Sequence, residues 1–486
     1  MNFNQVVEWI SSMIWGWPFI GICLLSGLYF SVRMRFFQVR YLLRMAKLSF
    51  YGKPSDSGIS SFQAFLLALT SRIGIGNIAG VVTAIVLGGP GSIFWMWVIA
   101  FLGTGTSFVE STLGQVYKEK IDGVYRGGPA YYIRRGLGLK WYAVAFSVVT
   151  VLALGVLMPG LQANAISDAF LTSFALDKRI TAGFVVVLLG LIIFGGVRRI
   201  ARVSEILTPF MAVGYILVAV IILIINYKEI PGMFRLIIES AFGFHQALGG
   251  MVGMAITMGV KRGIFTNEAG QGTAPHAAAA AEVPHPSIQG LVQAFSVYVD
   301  TFFVCTATAF MILITGMYKV YDSAAATHLI MDAMGLPAAM NEYGPINAQM
   351  AVEKHIPGFG SVFIALALFF FAFTTIMSYY FQSETNLYYL FRRKMSSLIA
   401  INTLRVSMLI ITFFTAINEM TLAWDLADIG VGLMAWFNMI AILLLQVVAL
   451  KTFNDYEAQL KSGITQPIFH PDRLGIKNTK EWSSTD

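Results

Sequence analysis

The 486-residue chain is 57% hydrophobic and 12% charged, with a mean hydropathy of +0.69 and a formal net charge of +7. Water-soluble domains carry about 25% charged residues, so this composition excludes one. Apolar runs of about 20 residues, with no alternating ten-residue pattern, exclude a membrane β-barrel as well.

Eleven spans are predicted in chain order, near 12–32, 62–87, 91–117, 141–171, 181–197, 203–226, 246–262, 288–316, 358–390, 395–416 and 422–449. The fold class is thus an all-α polytopic membrane protein. No Lys or Arg precedes the first run, which reads as a retained span rather than a cleaved signal. Cys23 and Cys305 lie inside apolar runs without metal-ligand spacing and read as packing residues.

Basic residues orient the spans. With the N-terminus outside, one set of loops collects Arg33, Arg35, Arg40, Arg44, Lys47 and Lys53, then Lys118, Lys120, Arg126, Arg134, Arg135 and Lys140. Arg198, Arg199, Arg202, Lys261, Arg262, Arg392, Arg393, Lys394 and the basic residues of the tail join them. Cytoplasmic loops carry this excess, so the expected location is the plasma membrane (the inner membrane of a bacterium), N-terminus outside and C-terminus cytoplasmic. Positive charge scattered over short loops bordering lipid also removes nucleic acid as a partner.

The second span reads as two half-helices around Ser71-Arg72-Ile73-Gly74-Ile75-Gly76-Asn77. Glycines among polar residues at mid-membrane depth unwind a helix. Such backbone survives only where it is buried in protein or lines a cavity. The seventh span interrupts itself in the same way, at Gly259-Val260-Lys261-Arg262-Gly263 and on through Thr266 to Gly272. Five spans separate the two breaks, so consecutive five-helix units would have opposite topology. That is the pattern of an inverted-repeat transporter with its site at the midplane. The layout divides as an N-terminal span and basic linker (1–58), a first five-helix repeat (59–227), an outer amphipathic connection (228–245), a second repeat (246–450) and a cytoplasmic tail (451–486).

The run Gly88-Gly89-Pro90-Gly91-Ser92-Ile93-Phe94-Trp95-Met96-Trp97 resembles the signature of the alanine or glycine:cation symporter family. The segments SRIGIGNIAGV, YRGGPAYYIRRGLG, LQANAI and RGIFTNEAGQGTAP are similar to that family too, so the likeness covers almost the whole chain. The resemblance implies a five-plus-five inverted-repeat core with alternating access, and coupling to sodium or less often to protons. It also implies no resident cofactor. Carried over position by position, the amides of Ile75 and Gly76 would meet a substrate carboxylate, and Asn77 would offer an oxygen near one cation. The carbonyls of Thr70 and Ile73, with the hydroxyls of Thr374 and Thr375, would face a second. The half-helix that follows a break points its positive end at an anion, and carbonyls ending the half-helix before it suit a hard cation. Where the family often has Gly-Trp, this chain has Ser378-Tyr379, which alters the pocket wall and places Tyr379 beside the substrate.

Side-chain amides suit a neutral amino acid, and Gln162 and Asn164 follow Pro159-Gly160 at pocket depth. Threonines in a membrane helix also back-bond to the preceding turn, and amides also bond neighbouring helices. Ionisable residues inside spans are functional candidates. Arg72 needs a partner, and pairing with Glu268 or Glu384 would make either a cytoplasmic gate or a static structural pair. Glu110 and Asp300 are the other carboxylates within spans, and Asp300 would sit near a cation or bond the nearby backbone. No His-Glu-x-x-His helix or Gly-x-Ser-x-Gly elbow supports an intramembrane enzyme, and no charge ring supports a channel. The reading is therefore sodium-coupled symport of alanine or glycine into the cell, with a proton-coupled or uncoupled amino acid carrier as the alternative.

Overall fold

A helix in lipid turns its apolar side outward, and the Gly196–Ile225 helix does so: Ile206, Phe210, Val213, Leu217 and Ile224 are exposed, whereas Ser204, Thr208, Met211, Tyr215 and Ile222 are buried. The computed structural model describes residues 3–50, 58–245, 248–321, 329–333, 344–391, 394–418 and 423–482. Arg392, Arg393 and Lys53 of the basic set, and most of the loop between 322 and 343, lie outside the described residues.

Among the described residues, eight helices are long and apolar enough to cross a bilayer: Gln5–Arg33, Gly91–Val116, Lys140–Phe174, Gly196–Ile225, Pro286–Thr315, Gly360–Leu390, Met395–Ile417 and Trp424–Lys461. Three further segments are short or interrupted. Lys178–Ile193 has 16 residues, and Ser61–Gly88 and Val252–Ala280 are each two helices joined by irregular backbone. The 228–245 connection contains a 12-residue helix, Ile230–Ala241, which holds the signature turn through a hydrogen bond from the Gly91 amide to Ser240 Oγ (3.0 Å).

The first break falls where the glycines predict it. Ser61–Arg72 starts on a capping box made by Ser60 and Gln63 and ends at Ile73; Gly74 is extended, Ile75–Asn77 forms one 3-10 turn, and Ala79–Gly88 continues. The second break takes up only the later part of the stretch expected to open, which displaces its start along the chain. The helix Val252–Asn267 runs unbroken through Gly259 and Gly263, whose Cα atoms press against the Gly91–Val116 helix: an added Cβ would meet Ser92 O at 2.5 Å and Ile99 Cγ2 at 2.5 Å, respectively. Those glycines serve helix packing. The chain opens only at Glu268–Thr273, where Glu268 (φ 55), Gly270 (φ 87) and Gly272 (φ 83) are left-handed, before Ala274–Ala280 resumes.

That displacement moves two charges. The Ile59 amide donates to Ala280 O and the Glu282 amide to Ile59 O, and Pro284 O accepts from the tail, so 281–285 shares the face of the C-terminal tail. Lys261 and Arg262, expected among the loops of that face, instead lie in the opposite half of the span and pair with Asp428.

Candidate functional site

The two breaks touch. An added Cβ on Gly76 would meet Thr266 Cγ2 at 2.9 Å and Phe265 Cδ1 at 3.1 Å, and Ser71 Oγ donates to Glu268 Oε1 at 2.9 Å. Ile75, Gly76, Asn77, Gln162, Tyr379 and Thr375 are all buried. The meeting point is closed to both faces.

Backbone groups freed at the first break are satisfied by side chains. The Ile75 amide donates to Gln162 Oε1 (3.1 Å) and the Gly74 amide to Asn77 Oδ1 (2.9 Å). Gln162 follows a π-helical stretch, Ala153–Leu157, and the proline at 159, which together turn its amide toward the break. Tyr379 interacts with the same amide. Gln162 therefore presents an amide oxygen where a carboxylate oxygen would be received.

Oxygen atoms converge on Thr375 Oγ1: Phe371 O at 2.8 Å, Thr70 O at 2.9 Å and Ile73 O at 3.2 Å. A hydroxyl has one proton, so it can satisfy only one of these carbonyls. The surplus of oxygen is suited to a hard cation. Thr374 does not share this place, because its hydroxyl bonds Phe370 O (2.8 Å) and Phe371 O (3.1 Å) and faces Met211. Adjacent residues on a helix point about 100° apart, so only one threonine of the pair can reach the break.

Asp300 lies on a widened, π-helical stretch, Tyr298–Cys305, and is fully buried. Its carboxylate accepts from Asn77 Nδ2 (2.6 Å) and Thr301 Oγ1 (2.9 Å), and Thr266 also interacts with it. Among the described residues it has no ion pair within 4 Å. Asn77 thus spends its oxygen on the break and its nitrogen on Asp300.

The expected gate pairs are not made in this conformation. Arg72 donates to Gln293 O (2.9 Å), Ser107 Oγ (3.0 Å) and Ser296 Oγ, all neutral, while Glu268 is held by Ser71. Glu384 faces Arg126 (3.4 Å), Arg405 (3.7 Å) and the Tyr380 hydroxyl (3.0 Å), and Arg126 stacks on Tyr388 with its guanidinium 3.7 Å from the ring centroid. Arg72 is the last residue of the Ser61–Arg72 helix, directly before the break, and its guanidinium is taken up by the Gln293 carbonyl and two serine hydroxyls rather than by a carboxylate. Asn164 also turns away, donating to Asn418 O (3.0 Å) and Thr415 O (3.3 Å). One residue pair along a helix from Gln162, it points some 200° from it.

Sequence reasoning missed two arrangements. Asp428 gathers Lys261 (2.6 Å) and Arg262 (3.4 Å), with Arg262 over Trp424 (5.3 Å) and Phe265 (5.6 Å). Glu110 binds the second break through the amides of Gly272 (3.1 Å) and Gly270 (3.3 Å) and through Asn438 Nδ2 (2.7 Å). A carboxylate buried in a span, with glycines able to turn their amides toward it, was the available signal.

The sodium:alanine symporter family model matches residues 1–471. YrbD of Bacillus subtilis (strain 168) is 52% identical over 97% of this chain and 96% of its own length. The sodium/proton-dependent alanine carrier protein of Bacillus sp. (strain PS3) is 48% identical over 90% of this chain and 97% of its own. In fold, a variant of the Eremococcus coleocola manganese transporter superposes with a TM-score of 0.50 at 13% identity, over 81% of this chain and 80% of that one. With a family match over nearly its whole length and relatives of that identity, the chain belongs to the sodium:alanine symporter family.

Proposed function

We propose that this chain carries alanine, and glycine with it, into the cell together with sodium by alternating access. The eight long helices and three short or interrupted segments act as eleven spans, one N-terminal and ten in a five-plus-five inverted repeat. The face bearing the tail and most of the basic loops is cytoplasmic. The observation that carries the reading is the first break, where two carbonyls sharing a single threonine hydroxyl lie beside an amide already answered by an amide oxygen.

In this mechanism the substrate carboxylate replaces Gln162 Oε1 on the Ile75 amide and approaches Gly76, while Gln162 and Tyr379 swing to its ammonium side. One sodium ion sits among Thr70 O, Ile73 O, Phe371 O and Thr375 Oγ1. A second cation, sodium or a proton, goes to Asp300 beside Asn77 and Thr266. Charge supports two cations: buried Arg72 stands against three buried carboxylates, Glu110, Glu268 and Asp300. Uncompensated charge in a low-dielectric interior costs several kcal/mol per ion. A neutral zwitterion cannot offset that excess, and cations can. Opening outward breaks the Asp428 cluster; opening inward breaks Arg126 and Arg405 from Glu384, which makes Glu384 a gate carboxylate with partners other than Arg72.

Thr375→Ala tests the sodium assignment. Removing one hard oxygen should raise the sodium concentration for half-maximal uptake about tenfold, equivalent to ~1.4 kcal/mol, with alanine affinity at saturating sodium little changed. Thr374→Ala, whose hydroxyl faces Met211, should leave sodium dependence unchanged. A wild-type sodium response in Thr375→Ala would remove that residue from the site.

A further inference from the structure

The sequence gives residues 463–482 the look of a polar tail, yet they are laid down on the protein. Phe469 and Ile476 are buried, and the Phe469 amide donates to Pro284 O at 3.0 Å. Phe469 packs edge-on against Trp482 (centroids 5.2 Å) and against His285 (5.4 Å). Trp482 Nε1 donates to Gln115 O at 2.9 Å, and Lys118 Nζ lies between the rings of Tyr125 (4.3 Å) and Trp482 (4.9 Å). Glu481 accepts from the Lys120 amide at 3.0 Å. Asn478 exchanges two hydrogen bonds with Arg135, taking Nη1 at 2.9 Å and giving to the Arg135 carbonyl at 3.1 Å. At its start the tail is tied to the Trp424–Lys461 helix by reciprocal bonds between Gln459 and Ile468 (2.8 and 2.9 Å).

These ties join parts that belong to different packing groups. Gln115 ends the Gly91–Val116 helix and Pro284 precedes Pro286–Thr315, two helices that enclose the broken segments. Arg135 begins the approach to Lys140–Phe174, which packs with Gly360–Leu390 and Met395–Ile417. Between them runs the two-stranded hairpin Glu119–Ile121 and Val124–Arg126, and its last residue, Arg126, is one of the two arginines that face Glu384. The strap holds the first strand of this hairpin at Lys120 and the segment after it at Arg135, and so flanks the gate residue on both sides in sequence.

We propose that residues 463–482 form a strap that clamps the tail-face gate shut through the 119–126 hairpin, and that the site opens to this face only when the strap lifts. The inference rests on the alternating-access reading, in which the two packing groups separate on that side. Backbone bonds and aromatic contacts at the two ends of the strap cannot all persist while those groups move apart, because each contact tolerates only a few tenths of an ångström. Lifting the strap exposes polar groups and two aromatic rings, not a large apolar core, so it suits a device that must release repeatedly.

The test uses the full chain carrying Lys120→Cys and Glu481→Cys, both native cysteines being buried. A short thiol-to-thiol cross-link between them, made in proteoliposomes, should reduce labelled alanine uptake at least tenfold, and reduction should restore it. Separately, a reporter cysteine at Thr385, buried on the Gly360–Leu390 helix, is reacted with an impermeant maleimide from the tail face without substrate or cation. Trp482→Ala should speed this labelling at least fivefold, and the cross-link should suppress it. Unchanged uptake in fully cross-linked protein, or wild-type labelling in Trp482→Ala, overturns the strap. Because the labelling needs no substrate, it stands even if alanine proves to be the wrong cargo; a cross-linked protein that labels normally yet transports nothing also counts against the clamp.

Discussion

Gly76→Val should abolish alanine uptake, by more than a hundredfold, in protein that still inserts and purifies as a single species. A Cβ at this position would stand 2.9 Å from Thr266 Cγ2 and 3.1 Å from Phe265 Cδ1, closer than carbon atoms pack, and valine adds two methyl groups beyond it. Overpacking of this kind costs roughly 1–3 kcal/mol. Here the strain falls between the two breaks, where a shift of 1 Å removes the geometry that holds substrate. Gly80→Ala is the control one turn along. Its nearest neighbours would be Thr266 Cγ2 at 3.9 Å and Arg262 Cδ at 4.0 Å, ordinary contact, so uptake should stay within about twofold of wild type. Near-normal alanine affinity in Gly76→Val would move the substrate site away from this break.

Asp300→Asn should uncouple transport from its cation. The asparagine keeps an oxygen for Asn77 Nδ2, now 2.6 Å from Asp300 Oδ1, and loses only the charge. A buried carboxylate contributes several kcal/mol to holding a cation at an effective dielectric constant of about 20. Sodium affinity should therefore fall at least a hundredfold, ~2.7 kcal/mol. Folding should not suffer, since replacing a buried charge that has no ion pair by a neutral isostere is neutral or stabilising. Thermal unfolding in detergent separates the outcomes. A variant that melts at or above the wild-type temperature and ignores sodium supports the assignment; one with wild-type sodium dependence removes Asp300 from coupling.

Much of the architecture was legible because lipid imposes long apolar helices and because Gly74 and Gly76 interrupt one of them visibly. The seventh span misled for a physical reason. Gly259 and Gly263 have the same letters as a break but serve close packing against Ser92 and Ile99, so only the later part of the expected stretch, from Glu268 on, is open. That Thr375, Ile75 and Gln162 meet at the first break was readable from position along broken or proline-bearing helices. Thr374 and Asn164 were not, since a side chain's direction depends on helix rotation to within one residue. The partners of Glu384 were hidden for another reason: Arg126 comes from a three-residue strand in a loop, and Arg405 from a different span, contacts that only the folded chain brings together. The strap carried no sequence signal beyond Phe469 and Trp482 in an otherwise polar segment.

On the function proposed above, a sodium gradient drives alanine and glycine across this protein. Purified protein in proteoliposomes, with membrane potential clamped, can be given an inward sodium gradient or an inward proton gradient and labelled alanine or glycine. Accumulation above equilibrium is expected with sodium, loss of accumulation when potassium replaces it, and no accumulation from the proton gradient alone. Accumulation driven by protons without sodium, or equilibration indifferent to both gradients, would contradict the proposed function.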